Sequence, residues 1–215
     1  PSDYFNVTVP LSCAALTYRF SHEASGNHQV DNAHARYEAY LRYYVLGLRH
    51  AGSSYAFHTI GSCIAVTPTA YATVRGVPKR QAGEDFYLLN KLAKVGQVRT
   101  PSSAPLTIQA RTSQRVPFGT GQATNDIIRN GSTYKIYNPK IFDLIGTWCT
   151  ALEVINDTSV HAASDNVLHR AESTLGFVDR WRLRTALASI GASDALTIAA
   201  KQSPSPTIRQ KWLVD

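Results

Sequence analysis

The sequence predicts an α/β fold: a mixed, mainly buried sheet flanked by helices and followed by a mostly helical extension. Three observations carry this. Segments rich in β-formers recur at 4–9, 55–66 and 106–111. Amphipathic helical patterns stand between them at 33–50 and 85–95. From Pro139 onward, helical patterns follow one another with short breaks. The 215 residues suffice for a real core, and a composition of 44% apolar and 17% charged residues excludes a disordered chain. No stretch approaches the ~20 consecutive apolar residues of a membrane span, and the N-terminus lacks the basic-then-apolar layout of a signal peptide. Cys13, Cys63 and Cys149 are odd in number and widely spaced, so they read as buried reduced thiols, and a cytoplasmic location is expected. The formal net charge of +7 favours an anionic ligand or surface. Methionine is absent and the chain opens on Pro1, which suggests a fragment of something longer.

In chain order, Tyr4 to Val9 alternate and end at Pro10, as a strand does. Ser21 to Asn32 are polar and predict a loop. From Ala33 to His50 the positions Tyr37, Tyr40, Leu41, Tyr44, Val45 and Leu48 form a helical stripe assigned to the core. Arg36, Glu38, Arg42 and Arg49 take the other face, with Glu38 and Arg42 paired four apart. Residues 51–54 break that helix. Tyr55 to Val66 read as a buried strand with a bulged centre, interrupted by His58, Gly61 and Ser62. Thr67 and Pro68 are an N-cap and first helical residue for a short helix ending near Gly76. A basic, turn-rich loop over 76–83 leads to Glu84, Asp85 and a helix stopped by Gly96. Leu106 to Ala110 predict a strand that delivers Arg111 and Arg115 to a glycine-rich loop at 117–121. Helices are expected at 139–155, 165–175, 178–190 and 193–201, with a Ser/Pro break at 203–206.

Two constellations carry chemistry. Glu84 and Asp85 in the first turn of a helix stabilise it through the macrodipole, yet a carboxylate at a helix start that faces a cleft can also act as a general base. Arg111 and Arg115 offer guanidinium forks suited to a diphosphate, or else are solvated surface charges; Arg115, nearer the Gly119–Gly121 turn, fits the diphosphate better.

The series Tyr55-Ala-Phe-His-Thr-Ile-Gly-Ser62, the segment from Tyr71 to Arg80 with Gly76, the run Ala82-Gly-Glu-Asp-Phe-Tyr-Leu-Leu-Asn-Lys-Leu92 and Arg111 to Gly121 resembles the second half of a family-2 glycosyltransferase catalytic domain of the GT-A type. The likeness spans about the first 125 residues. It implies a partial GT-A (nucleotide-diphospho-sugar transferase-like) domain over 1–125 and a mainly helical extension over 126–215. It further implies transfer of a sugar from a nucleotide-diphosphate sugar such as a UDP-sugar to an acceptor hydroxyl, with inversion, in polysaccharide or glycoconjugate biosynthesis. Asp85 would be the base, with Glu84 either positioning Asp85 or the acceptor or simply serving the first turn. His58, Gly61 and Ser62 would lie on a strand facing the sugar cleft. There Gly61 admits close approach of a substrate, and Ser62 donates to a sugar hydroxyl or is a turn residue. His58 is a metal ligand or a hydrogen-bonded core histidine, the apolar strand favouring the latter. Arg111 and Arg115 would border the donor diphosphate or the acceptor.

The sequence departs from the family where the N-terminal βαβ half and its Asp-x-Asp motif should be. Ser2-Asp3 has no partner aspartate, and Trp212-Leu-Val-Asp215 ends abruptly. The expectation is a fragment truncated before Pro1 and after Asp215 and inactive alone, whose complete enzyme takes a divalent metal, Mg or Mn, and admits peripheral membrane association. Two other classes compete. A nucleic-acid-binding domain would use Arg75, Lys79 and Arg80 with Arg180, Arg182 and Arg184 around Trp181, but the dispersed charge and missing motifs leave no nucleic acid expected. A non-catalytic interaction module would use the helical region 139–201 to dock a partner.

Overall fold

A computed structural model describes residues 12–80, 82–102, 104–112, 119–131, 135–152, 167 and 169–202, with only the backbone of 199–202. The strand expected at 4–9, Arg115 and the break at 203–206 lie outside them. The architecture is mixed α/β. The chain divides into two compact units, one holding Phe57–Tyr137 and the described residues up to Val45, the other Leu46–Ala56 and the described residues from Asn138. Among the described residues no helix is long and apolar enough to cross a membrane, and Cys13, Cys63 and Cys149 are free and buried, as their spacing predicts.

In the first unit, β1 (Cys13–Thr17) is buried along its whole length. It is the centre of a three-stranded sheet, antiparallel to β3 (Ile64–Val66) and parallel to β4 (Gln97–Arg99). A strand covered on both faces shows no alternation, so its short Cys-Ala-Ala-Leu-Thr run carries little sequence signal. β2 (Phe20–Glu23) follows after two residues and pairs in parallel with β5 (Leu106–Gln109), placing Phe20 beside Leu106 and His22 beside Ile108. Cys13, Leu16, Tyr18, Phe20 and Cys63 form one core cluster, with Leu41, Ile60, Leu106 and Ile108 packed against it.

The expected loop at 21–32 is corrected to the end of β2, a turn and the first residues of α1 (His28–His50). The polar residues there are cap chemistry. Asn27 Oδ1 accepts from the amides of Gln29 and Val30, and Asp31 Oδ1 accepts from the amide and hydroxyl of Ser25. Along α1 the core assignment holds for Val45 and Leu48 but not for the tyrosines. Tyr37, Tyr40 and Tyr44 lie in near-parallel succession, Tyr40 and Tyr44 also meet Tyr137, and Tyr44 is 38% exposed.

The expected strand at 55–66 shrinks to β3. Upstream, the Cys63 amide donates to the Ile60 carbonyl and closes a 3-10 turn over Gly61–Cys63. That turn takes the Gly61 amide out of any ladder and aims it at Asp85. α2 (Pro68–Thr73) starts where Thr67 and Pro68 predict, with the Thr67 side chain accepting from the Ala70 amide. Thr67→Ala is expected to destabilise the protein by about 1 kcal/mol, read as a lower urea midpoint.

α3 (Glu84–Val95) buries Leu88, Leu89, Asn90, Leu92 and Ala93 against β1, β4 and α2. Gly96 ends it because of space rather than conformation: a Cβ there would stand 2.8 Å from Ala14 Cβ and 2.9 Å from the Ser12 carbonyl oxygen. The Gln97 amide donates to that same oxygen, so the close approach registers β4 against β1. α4 (Thr120–Asn130), unexpected from the sequence, begins inside the glycine-rich segment, with Gly119 as its N-cap at positive φ.

The second unit is helical: α5 (Lys140–Leu152), α6 (169–173), α7 (Phe177–Ser189) and α8 (Ala192–Gln202). Trp148, Ala151, Leu152, Val167, Ala171, Leu183, Leu187, Ala192 and Leu196 make its core. The end of α1 belongs to this unit. Gly47 leaves room for the Phe142 ring, which would stand 2.4 Å from a Cβ.

Candidate functional site

The first unit holds a cleft of about 650 Å³. It is bounded by His22 of β2, His34 and Tyr37 of α1, the Thr59–Ser62 segment, the start of α3, the end of β5 with Arg111 and Thr112 beyond it, and the start of α4. Gly61, Ser62, Glu84, Asp85 and Arg111, widely separated in sequence, all line it. His58 does not; it is half-buried, with its ring packed edge-on against Phe20. Arg115 is outside the described residues.

Asp85 is the most constrained group. Gly83, at φ +71°, turns the chain into α3 and sets Asp85 in its first turn. Its Oδ2 accepts from the Gly61 amide at 3.1 Å and its Oδ1 from the Phe86 amide at 2.7 Å. Burial pushes the Asp85 carboxyl above the ordinary aspartate range, and the neighbouring Glu84 charge adds to the rise. The amides of Phe86 and Gly61 oppose it without cancelling it. A carboxylate fixed at both oxygens, on a cleft wall and more basic than usual, is equipped to take a proton. A Cβ at Gly61 would stand 3.4 Å from Asp85 Oδ2, in ordinary contact with it.

Opposite in character is the end of the cleft formed by Arg111 and α4. α3 and α4 both open their N-termini to the cleft, but the first turn of α4 has no acidic residue, whereas α3 carries Glu84 and Asp85. The positive end of a helix and an exposed arginine lining one cleft favour an anion.

His22 and His34 are functional-site residues that sequence reasoning missed, because both fell at the borders of the expected loop. His34 is 2% exposed. Its Nε2 lies 3.0 Å from the Arg111 nitrogen and 3.1 Å from the Arg111 oxygen, so either tautomer clamps the arginine's backbone. Burial lowers its pKa, with His22 adding to the effect, despite the opposing Arg111 contact. His34 therefore stays neutral near pH 7. His22 stands ring to ring with it at 4.5 Å, and His22 Nδ1 meets Glu38 Oε2 at 2.9 Å. Burial opposes the charge on Glu38, but hydrogen bonds from His22 and Arg42 outweigh it and keep the carboxyl ionised. Arg42 also donates to the Phe20 carbonyl, which ties α1 to β2 below the cleft.

Among the described residues no three His, Cys, Asp or Glu side chains are grouped to hold a metal ion. Comparison with family models, with curated proteins and with solved structures finds no match.

Proposed function

We propose that the chain carries the acceptor-activating part of a GT-A-type, family-2-like glycosyltransferase that moves a sugar from a nucleotide-diphosphate donor to an acceptor hydroxyl with inversion. The single observation behind this reading is the raised-pKa Asp85 carboxylate, held by Gly61 and Phe86 on the wall of a cleft that also contains Arg111 and the acid-free start of α4. The motif resemblance through Tyr55–Ser62 and Ala82–Leu92 supports it from the sequence side.

In this mechanism the acceptor oxygen attacks the anomeric carbon from the side opposite the leaving group. Its bond to carbon forms as the bond from carbon to the diphosphate oxygen breaks. Asp85 takes the acceptor proton, and the diphosphate departs with the bonding electron pair. Arg111 and the N-terminus of α4 favour the charge that develops there, the arginine through charge-assisted hydrogen bonds. His34 acts as a positioning residue through the Arg111 backbone. Glu84 raises the basicity of Asp85 and, being exposed, can also meet the acceptor.

The test, in an enzyme that joins this chain to a donor-binding half, is nucleoside-diphosphate release from a panel of UDP- and GDP-sugars with glycan acceptors. Transfer is expected with one donor class, and Arg111→Ala is expected to lower kcat/KM for the donor by about 10- to 100-fold, the value of a charge-assisted hydrogen bond. Acceptor-dependent release unchanged by Arg111→Ala would remove the arginine from the donor site.

A further inference from the structure

α7 carries apolar side chains on two opposite faces, and only one is accounted for by the core. Leu183 and Leu187 point inward and are buried. Phe177, Val178 and Trp181 are 84%, 57% and 63% exposed. At 3.6 residues per turn these three fall within about 100° of the helix circumference, on the side away from Leu183 and Leu187. Thr185 and Ala188, both small and exposed, prolong the stripe toward the C-terminus. Arg182 borders it on one side, and Arg180 and Arg184 border it on the other. The arginines are not equivalent. Arg184 is neutralised by two bonds to Glu172, at 2.8 and 2.5 Å. Arg182 has an exposed contact with Asp179 at 3.3 Å, which counts for little in water, and Arg180 donates to the Leu175 carbonyl and shares with Arg184 the one negative charge of Glu172.

We propose that this face of α7 is a docking surface for an anionic lipid bilayer. The helix would lie in the interface with Phe177 and Trp181 inserted and Arg180 and Arg182 level with the headgroups. An aromatic-led stripe between arginines is the pattern of a helix that lies on a membrane rather than crossing it. Trp prefers the headgroup level, where its ring is apolar and its N–H is wet. Each unneutralised arginine adds attraction to a negative leaflet. A single-stranded nucleic acid would use Trp181 and the arginines but leave Val178 and Ala188 in water, so a bilayer fits the whole face better. The inference does not depend on the transferase reading.

Vesicle flotation of the whole chain tests it. Binding to vesicles containing phosphatidylglycerol is expected, with little to pure phosphatidylcholine, and high salt should weaken it. The double variant Phe177→Ser with Trp181→Ser should reduce binding by about tenfold or more, and Arg180→Gln with Arg182→Gln should reduce it while leaving residual hydrophobic binding. Both pairs are exposed, so circular dichroism should show an unchanged fold. Three outcomes would overturn the proposal: no binding of the parent chain to anionic vesicles, binding indifferent to both double variants, or a solution dimer that the Phe177/Trp181 variant splits. Tight, salt-sensitive retention on single-stranded DNA without vesicle binding would assign the face to nucleic acid instead.

Discussion

Asp85→Asn is expected to lower sugar transfer by about 10²- to 10⁴-fold, the range for removing a positioned general base, while the thermal midpoint stays near that of the parent chain. The asparagine side chain keeps one oxygen, which can accept from either the Gly61 or the Phe86 amide, so the start of α3 retains one of its two local hydrogen bonds. The variant loses proton affinity and one of the two hydrogen bonds. A loss in kcat with little change in donor KM would mark an interaction needed in the transition state. Unchanged transfer would show that Asp85 is not the base and would leave its contact with Gly61 as a structural link between α3 and the 3-10 turn.

The sign of the pH effect separates catalysis from stability. For activity, the working form is the carboxylate, so the rate should rise with pH through an apparent pKa above the usual aspartate value of about 3.9, and Asp85→Asn should abolish that limb. For stability, a folded-state pKa raised by burial means that the native state binds the proton more tightly than the unfolded one. The contribution of Asp85 is then complete below the unfolded value and is lost as pH rises through the folded one. Asp85→Asn removes this dependence as well. The variant should lose activity at neutral pH without losing stability there, a combination that a purely structural carboxylate would not produce.

Much of this geometry is legible in the sequence where a single element carries its own signal. Glu84 and Asp85 precede an amphipathic pattern that Gly96 terminates, and Thr67-Pro68 spells out a capped helix start; both elements lie where those residues place them. Signals that depend on distant partners are not legible. β1 is a five-residue run buried on both faces, without period, so nothing local distinguishes it from a piece of core helix. α4 hides because Gly119 and Gly121 look like loop residues, although one is its N-cap and the other lies in its first turn. Its buried positions also include the polar Thr124. His22 and His34 meet only because β2 and α1 pack side by side, and Arg111 joins them through a contact spanning 77 residues. The convergence that makes the cleft is thus a tertiary property. Sequence yields its individual residues and not their grouping.

A large stability effect in the first unit is expected at Leu92. It is fully buried on α3, on the face that packs against β1, β4 and α2. Leu92→Ala removes a buried methine and two methyl carbons and leaves a cavity, for a loss of about 2–5 kcal/mol. The same residue lies two turns from Asp85 along a helix that the sheet anchors through Leu88, Leu89 and Leu92, so loosening it should reach the site. Urea unfolding followed by circular dichroism should show a lower midpoint with an unchanged slope, and the α3 amides should exchange faster. Val95→Ala is the control: Val95 is on the same helix but about half exposed, and its replacement should cost about 0.5 kcal/mol or less. Leu92→Ala and Val95→Ala costing the same would mean that α3 is not anchored through this face. The position of Asp85 against Gly61 would then need another support, since their hydrogen bond alone cannot hold a twelve-residue helix in register with the sheet.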